Sequence, residues 1–159
     1  MTRTTRLSLI ALLAWLSLCF LVATFGALVT NPGEWYAELA KPPWTPPNWA
    51  FGPVWTALYT LMGIAAWMVW ERRHYQGARP ALGLFLAQLV CNGLWSWLFF
   101  SQHMTFVALV DILLLTVLIL GTIITFHRIR PLAGWLLVPY LAWVLVAVSL
   151  NAGVIVLNA

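Results

Sequence analysis

The side chains able to do chemistry in this sequence are few, and most recur at helical spacing. Gln88, Asn92 and Ser96 stand four residues apart, with Trp95 beside them, so on a helix they share one face. Tyr140, Trp143, Ala147 and Asn151 follow one another at intervals of three and four and share another. Asp111 is the one acid inside an apolar run. Amides, phenols and indoles so arranged can exchange hydrogen bonds and stack on flat apolar molecules. They do not form a bond-breaking apparatus. No serine, histidine and carboxylate are spaced to meet as a triad, and no glycine-rich loop is present to cradle phosphate. His74, His103 and His127 fall in connections or at the end of a run, which leaves no buried imidazole for a haem iron. Cys19 and Cys91 lie inside apolar runs and read as small packing residues, without metal-ligand spacing.

The elements that must position these groups follow from composition. Of 159 residues, 63% are hydrophobic and 8% charged, where a soluble domain carries roughly 25% charged residues. The chain therefore reads as one all-α integral membrane domain, residues 1–159. Five apolar runs, at 7–29, 52–70, 81–100, 105–126 and 132–157, are each long enough to cross about 30 Å of hydrocarbon. The first follows Arg3 and Arg6 and is too long for a signal-peptide core. Seven basic residues (Arg3, Arg6, Arg72, Arg73, Arg79, Arg128, Arg130) fall on one side and only Lys41 on the other. The positive-inside rule then puts the N-terminus in the cytoplasm, with the first loop and the C-terminus on the opposite side. This spread also explains the net charge of +4 without nucleic acid, since the basic residues form no patch with interleaved aromatics.

With the helices so directed, Thr24, Trp55, Asn92, Ser96, Asp111 and Asn151 fall in the half nearest the first loop, with Tyr140 and Trp143 near mid-depth. The stretch from Glu34 to Trp55, in that loop and the start of the second run, holds four of the eleven tryptophans (Trp35, Trp44, Trp49, Trp55) and five of the nine prolines. Proline removes backbone donors and tryptophan needs something to pack on, so residues 30–51 are expected to form a non-helical lid over the bundle. The expected cavity beneath it is lined from helices two, three, four and five. Trp55 and Trp143 are its expected walls, Trp143 because a large aromatic at mid-depth beside the helix-breaking Pro139 suits a pocket. Gln88 and Ser96 are explained equally well by interhelical hydrogen bonding. Asp111 and Asn151 are read as structural polar groups, Asp111 with a partner in helix five or the first loop. Trp67, Trp70, Trp95, Trp97 and Trp135 lie near helix ends, as interfacial belt residues do. Gly83, Ala87 and Cys91 form a small-residue seam rotated from the polar stripe, open either to a second protomer or to a helix of the same chain. Lys41 stands at the mouth, either solvated or ready to meet a ligand carboxylate.

The stretch Trp35-Tyr36-x-x-Leu39-x-Lys41-Pro42-x-Trp44-x-Pro46-Pro47, with Pro53-x-Trp55, resembles the TspO/MBR family of tryptophan-rich sensory proteins, which includes the translocator protein, or peripheral benzodiazepine receptor. Asn92-x-x-Trp95, Asp111, Pro139-Tyr140-x-x-Trp143 and Leu150-Asn151 extend the match over nearly the whole chain. The resemblance implies a dimeric five-helix bundle whose pocket under the first loop takes porphyrins, sterols or drugs. Bacterial relatives are linked to porphyrin transport or to sensing of light, oxygen or stress. Trp55 and Trp143 match the two pocket tryptophans tied in some members to light-driven porphyrin breakdown. Tyr36, Trp44, Asn92 and Tyr140 match other pocket or lid positions. The expected ligand contacts are thus Tyr36, Trp44, Trp55, Gln88, Asn92, Trp95, Tyr140 and Trp143. The expected function is binding or transport of a tetrapyrrole of the protoporphyrin IX type, or another hydrophobic small molecule, with no required cofactor and no metal. The alternatives are Trp-dependent porphyrin degradation and a ligand-responsive regulatory scaffold. The chain departs from animal members at its end, where 150–159 contain no tyrosine and no Lys or Arg; a sterol role is correspondingly weakened.

Overall fold

A computed structural model describes residues 3–30 and 34–159, with side chains from Arg6 on. The side chain of Arg3 and positions 31–33 of the first loop, both used in the sequence reading, lie outside the described residues. Among those described, the helices are α1 (Arg3–Val29), α2 (Glu34–Glu38), α3 (Asn48–Trp70), α4 (Ala78–Ser96), α5 (Thr105–Ile129), α6 (Pro131–Leu136) and α7 (Val138–Leu157). A π-helical turn, Trp97–Ser101, prolongs α4. With α6 and α7 in series, they make five segments long and apolar enough to cross a membrane. Leu7, Leu21, Val90, Phe106 and Val117 project from the bundle surface, a covering suited to lipid rather than water.

Several boundaries differ from the apolar runs. The first loop is not wholly irregular: it contains α2, and its last residues belong to α3. That helix starts at Asn48 because extended Pro47 (φ −64°, ψ 145°) caps it and Ala50 N–H reaches back to Pro47 O at 2.9 Å. Pro53 consequently lies inside α3, where the bond it fails to donate belongs to Trp49, an exposed residue of the first turn. Helix α4 starts at Ala78 and takes Pro80 into its first turn, where the missing N–H has no partner to lose. At Pro139 the chain does more than kink. The fifth span breaks at Leu137, whose N–H turns back to Gly134 O at 3.1 Å, and Pro139 becomes the second residue of α7.

Helix α1 packs on α3 and α4, while α5 packs on α4, α6 and α7. The ring closes through α6 on α3, whereas α3 and α7 meet only sparsely. Close approach of α1 to α3 depends on Gly63, where a Cβ would stand 2.8 Å from Leu16 Cδ2. Met62, Ala65 and Val69 of α3, Phe85 and Leu89 of α4, and Ile112, Leu115, Ile119 and Phe126 of α5 fill the core. Ile112 and Leu115 lie nearer the first loop, and most of these positions lie between mid-depth and the end opposite it. The bundle is solid there and open under the loop.

The loop folds over that opening. Trp35 and Tyr36 of α2 pack edge-on against Phe99, and Tyr36 also meets Phe100. Pro42 is buried on α7 opposite Gly153, where any Cβ would collide with its ring. Asn158 grips the loop backbone, accepting from Ala40 N–H at 3.0 Å and donating to Ala40 O at 2.9 Å. Trp44 Nε1 donates to Ser149 Oγ at 3.2 Å. Lys41 turns inward on its own loop and donates to the carbonyls of Tyr36, Ala37 and Leu39 at 2.6, 3.2 and 3.0 Å, with its ammonium over the Tyr36 ring. In doing so it satisfies carbonyls that the end of α2 leaves free. His103, at φ 56°, stacks on Trp35 with ring centroids 4.0 Å apart.

Candidate ligand-binding site

Under the lid lies a cavity of about 540 Å³. Each wall comes from residues at helical spacing. Helix α3 turns Phe51, Trp55 and Tyr59 inward, four residues apart, and α7 turns Trp143, Val146, Ala147 and Leu150. Helix α1 presents Phe20, Ala23, Thr24 and Ala27, and the end of α4 presents Trp95, Ser96 and Phe100. Tyr36 reaches down from the lid. On the side where α3 and α7 part, Phe51 meets Trp143 edge-on at 5.7 Å.

Behind this wall runs a buried chain of hydrogen bonds. Tyr59 OH donates to Asn92 Oδ1, Asn92 Nδ2 to Tyr140 OH at 2.9 Å, and Tyr140 OH to Gln88 Oε1 at 2.8 Å. Trp55 rests on it, with its ring 5.4 Å from Tyr59 and 6.3 Å from Tyr140. The two tyrosines therefore fix the indole that faces the cavity. Trp95 is held equally firmly: its Nε1 donates to Asn151 Oδ1 at 3.1 Å, Asn151 Nδ2 donates to Thr105 O at 2.9 Å, and its ring stacks on Phe99. Burial raises the Tyr36 phenol above its ordinary pKa, so it faces the cavity as a neutral hydroxyl.

Of the residues expected to contact a ligand, Tyr36, Trp55, Trp95 and Trp143 face the cavity. Gln88, Asn92 and Tyr140 do not; they form the hydrogen-bonded layer behind Tyr59, because Tyr59 fills the space between them and the opening. Trp44 lies on the outside of the lid, bound to Ser149. The expected wall from helix four is also absent among the described residues, and helix one takes its place. Asp111 is buried, yet its Oδ2 has no hydrogen-bond partner among the described residues, in contrast to the partner expected from helix five or the first loop. Gln88 Nε2 is likewise unpartnered. Trp95 leaves the interfacial belt for the cavity wall, and Trp67 is tied to α1 through Ser8 O at 3.1 Å; Trp135 stays exposed. Gly83 and Ala87 are exposed on α4 and Cys91 is half-buried, so no helix of this chain covers the first two. Sequence reasoning missed Phe51, Tyr59 and Phe100. The first two were visible in the four-residue spacing about Trp55. Phe100 was hidden, because the π-helical turn shifts its direction.

A family model described as the TspO/MBR family matches residues 5–157. The chain is 43% identical over 125 residues to the tryptophan-rich protein TspO of Archaeoglobus fulgidus, covering 79% of this chain and 80% of the relative. It is 41% identical over 120 residues to the human translocator protein, covering 74% and 71%. A tryptophan-rich sensory protein of Cereibacter sphaeroides is 39% identical over 146 residues, covering 92% and 90%.

Proposed function

The chain belongs to the TspO/MBR family of integral, multi-pass membrane proteins, and on that premise we propose that it is a receptor that binds tetrapyrroles of the protoporphyrin type, or other flat hydrophobic molecules, under its first loop. One observation carries the reading: the indoles of Trp55, Trp95 and Trp143 share a single lidded cavity of about 540 Å³. That volume falls in the roughly 300–1,000 Å³ range of small-molecule pockets, and each aromatic contact adds about 0.5–1.5 kcal/mol to apolar burial. Titration of the protein in lipid nanodiscs with protoporphyrin IX, followed by tryptophan emission, is the test. Saturable quenching that weakens in Trp55→Phe and Trp143→Phe supports it. Quenching that never saturates, or is unchanged in both variants, refutes it.

The position of Trp55 and Trp143 in the cavity wall favours a second reading, light-driven breakdown of the bound porphyrin with these indoles as redox partners. Illumination with the porphyrin absorbance followed separates the two, since binding alone gives no protein-dependent spectral loss. The basic side chains Arg6, Arg72, Arg73, Arg79, Arg128 and Arg130 gather at the end opposite the lid, which supports a cytoplasmic assignment for that end. The uncovered seam of Gly83 and Ala87, with Cys91 beside it, supports a homodimer through α4.

A further inference from the structure

The described lining of the cavity carries no charged side chain: none of these residues is Asp, Glu, Lys, Arg or His. The lid's one basic side chain, Lys41, spends its ammonium on three carbonyls of its own loop and the Tyr36 ring. The lid also carries two exposed acids, Glu34 and Glu38, and His103 stacks against Trp35 on the lid rather than lining the cavity. A carboxylate drawn inside would shed its water and find hydroxyls and indole N–H groups but no cation, an arrangement in which desolvation outweighs the gain. The apolar walls exact no such cost from a neutral ring.

We propose that the cavity selects uncharged ring systems: a tetrapyrrole lies with its macrocycle enclosed and its acid groups held at the mouth beside Asn48, and the neutral, esterified form binds at least as tightly as the free diacid. The identity of the ligand rests on the tetrapyrrole reading above; the charge rule rests on the lining alone. Asn48 is the exposed first residue of α3 and the one amide side chain among the described lining residues. Lys41, held by its own loop, has no part in the contact.

Protoporphyrin IX and its dimethyl ester, titrated against the protein in nanodiscs of zwitterionic phosphatidylcholine, give a ratio of affinities. Comparing that ratio among wild type, Lys41→Met and Asn48→Arg cancels partition into lipid. The ratio stays constant in Lys41→Met, and Asn48→Arg tightens the diacid about three- to fivefold, the range of an exposed ion pair, without affecting the ester. A loss of about tenfold in diacid affinity alone in Lys41→Met identifies the lysine as a carboxylate partner and overturns the proposal; so does an Asn48→Arg variant indifferent to the diacid. If neither porphyrin binds, the tetrapyrrole reading fails and the charge rule is tested by two naphthalene probes. Neutral phenylnaphthylamine then shows Trp143-dependent energy transfer and anionic anilinonaphthalene sulfonate does not. Equal binding of the anion, or binding of neither probe, overturns the rule.

Discussion

Replacing Asn158 by alanine asks whether the lid is held by α7. The Asn158 side chain accepts from Ala40 N–H at 3.0 Å and donates to Ala40 O at 2.9 Å. Such bonds contribute about 0.5–1.5 kcal/mol each. Both residues are exposed, so water replaces the lost partners and the low end of that range applies, about 1 kcal/mol for the pair. The undocked population of the lid then rises roughly fivefold, because the Pro42 contact with Gly153 and the Trp44 bond to Ser149 remain. Hydrogen exchange in nanodiscs, read on lid peptides around Ala40 and on α5 peptides as the internal reference, measures it. Lid exchange quickens by about that factor while the α5 core is unchanged. Gly153→Ala, which drives a Cβ into Pro42, has the larger effect on the same peptides. Unchanged lid exchange in both variants refutes the idea that α7 holds the lid. An equal rise across all peptides refutes it differently, by showing a general loss of fold.

Tyr59→Phe leaves buried Asn92 Oδ1 without its donor and costs about 1–3 kcal/mol, seen as a lower thermal midpoint; wild-type stability would show that the layer behind Trp55 is not cooperative. Asp111→Asn is neutral or stabilising in the same assay, because a carboxylate with no described partner gains nothing from its charge, and a loss above about 1 kcal/mol would reveal a partner. The proposed homodimer through α4 predicts that Ala87→Trp lowers the dimer fraction in single-molecule photobleaching without unfolding the protomer, since Ala87 is exposed; a dimer fraction unaltered by the substitution, or a wild-type protein that is monomeric, refutes that interface. Burial raises the Tyr36 phenol, so its contribution to lid docking is complete below the free value of about 10 and is lost as pH rises through the higher folded value. Tyr36→Phe removes this alkaline step, and a step that survives in the variant belongs to another group.

Much of this architecture was legible because a membrane imposes long apolar helices and leaves polar residues few places to go. The five spans, the lid and the indoles of Trp55 and Trp143 follow from runs, prolines and spacing, whereas the position of Trp95 near a helix end pointed to the interfacial belt. The errors have local causes. Helix periodicity places Gln88 and Asn92 on an inward face but does not say that Tyr59 stands between them and the cavity. The contribution of Thr24 and Ala27 depends on how α1 leans on α3 at Gly63, which is a packing angle and not a pattern. Lys41 looked available because carbonyl partners within its own loop leave no trace in residue type. The latch at Asn158 was invisible for a similar reason, as it joins the end of the chain to a backbone far away in sequence.

The break at Leu137 separates the fifth span into two rods. The shorter, α6, belongs to the packed base of the bundle, against α3 and α5. The longer, α7, is one continuous helix carrying Trp143 on the cavity wall and Ser149 and Gly153 under the lid, with Asn158 at its end. The wall of the slot at Trp143 and the anchors of the lid therefore belong to one continuous helical element. A guest broad enough to move the wall must lift the anchor of the cover with it.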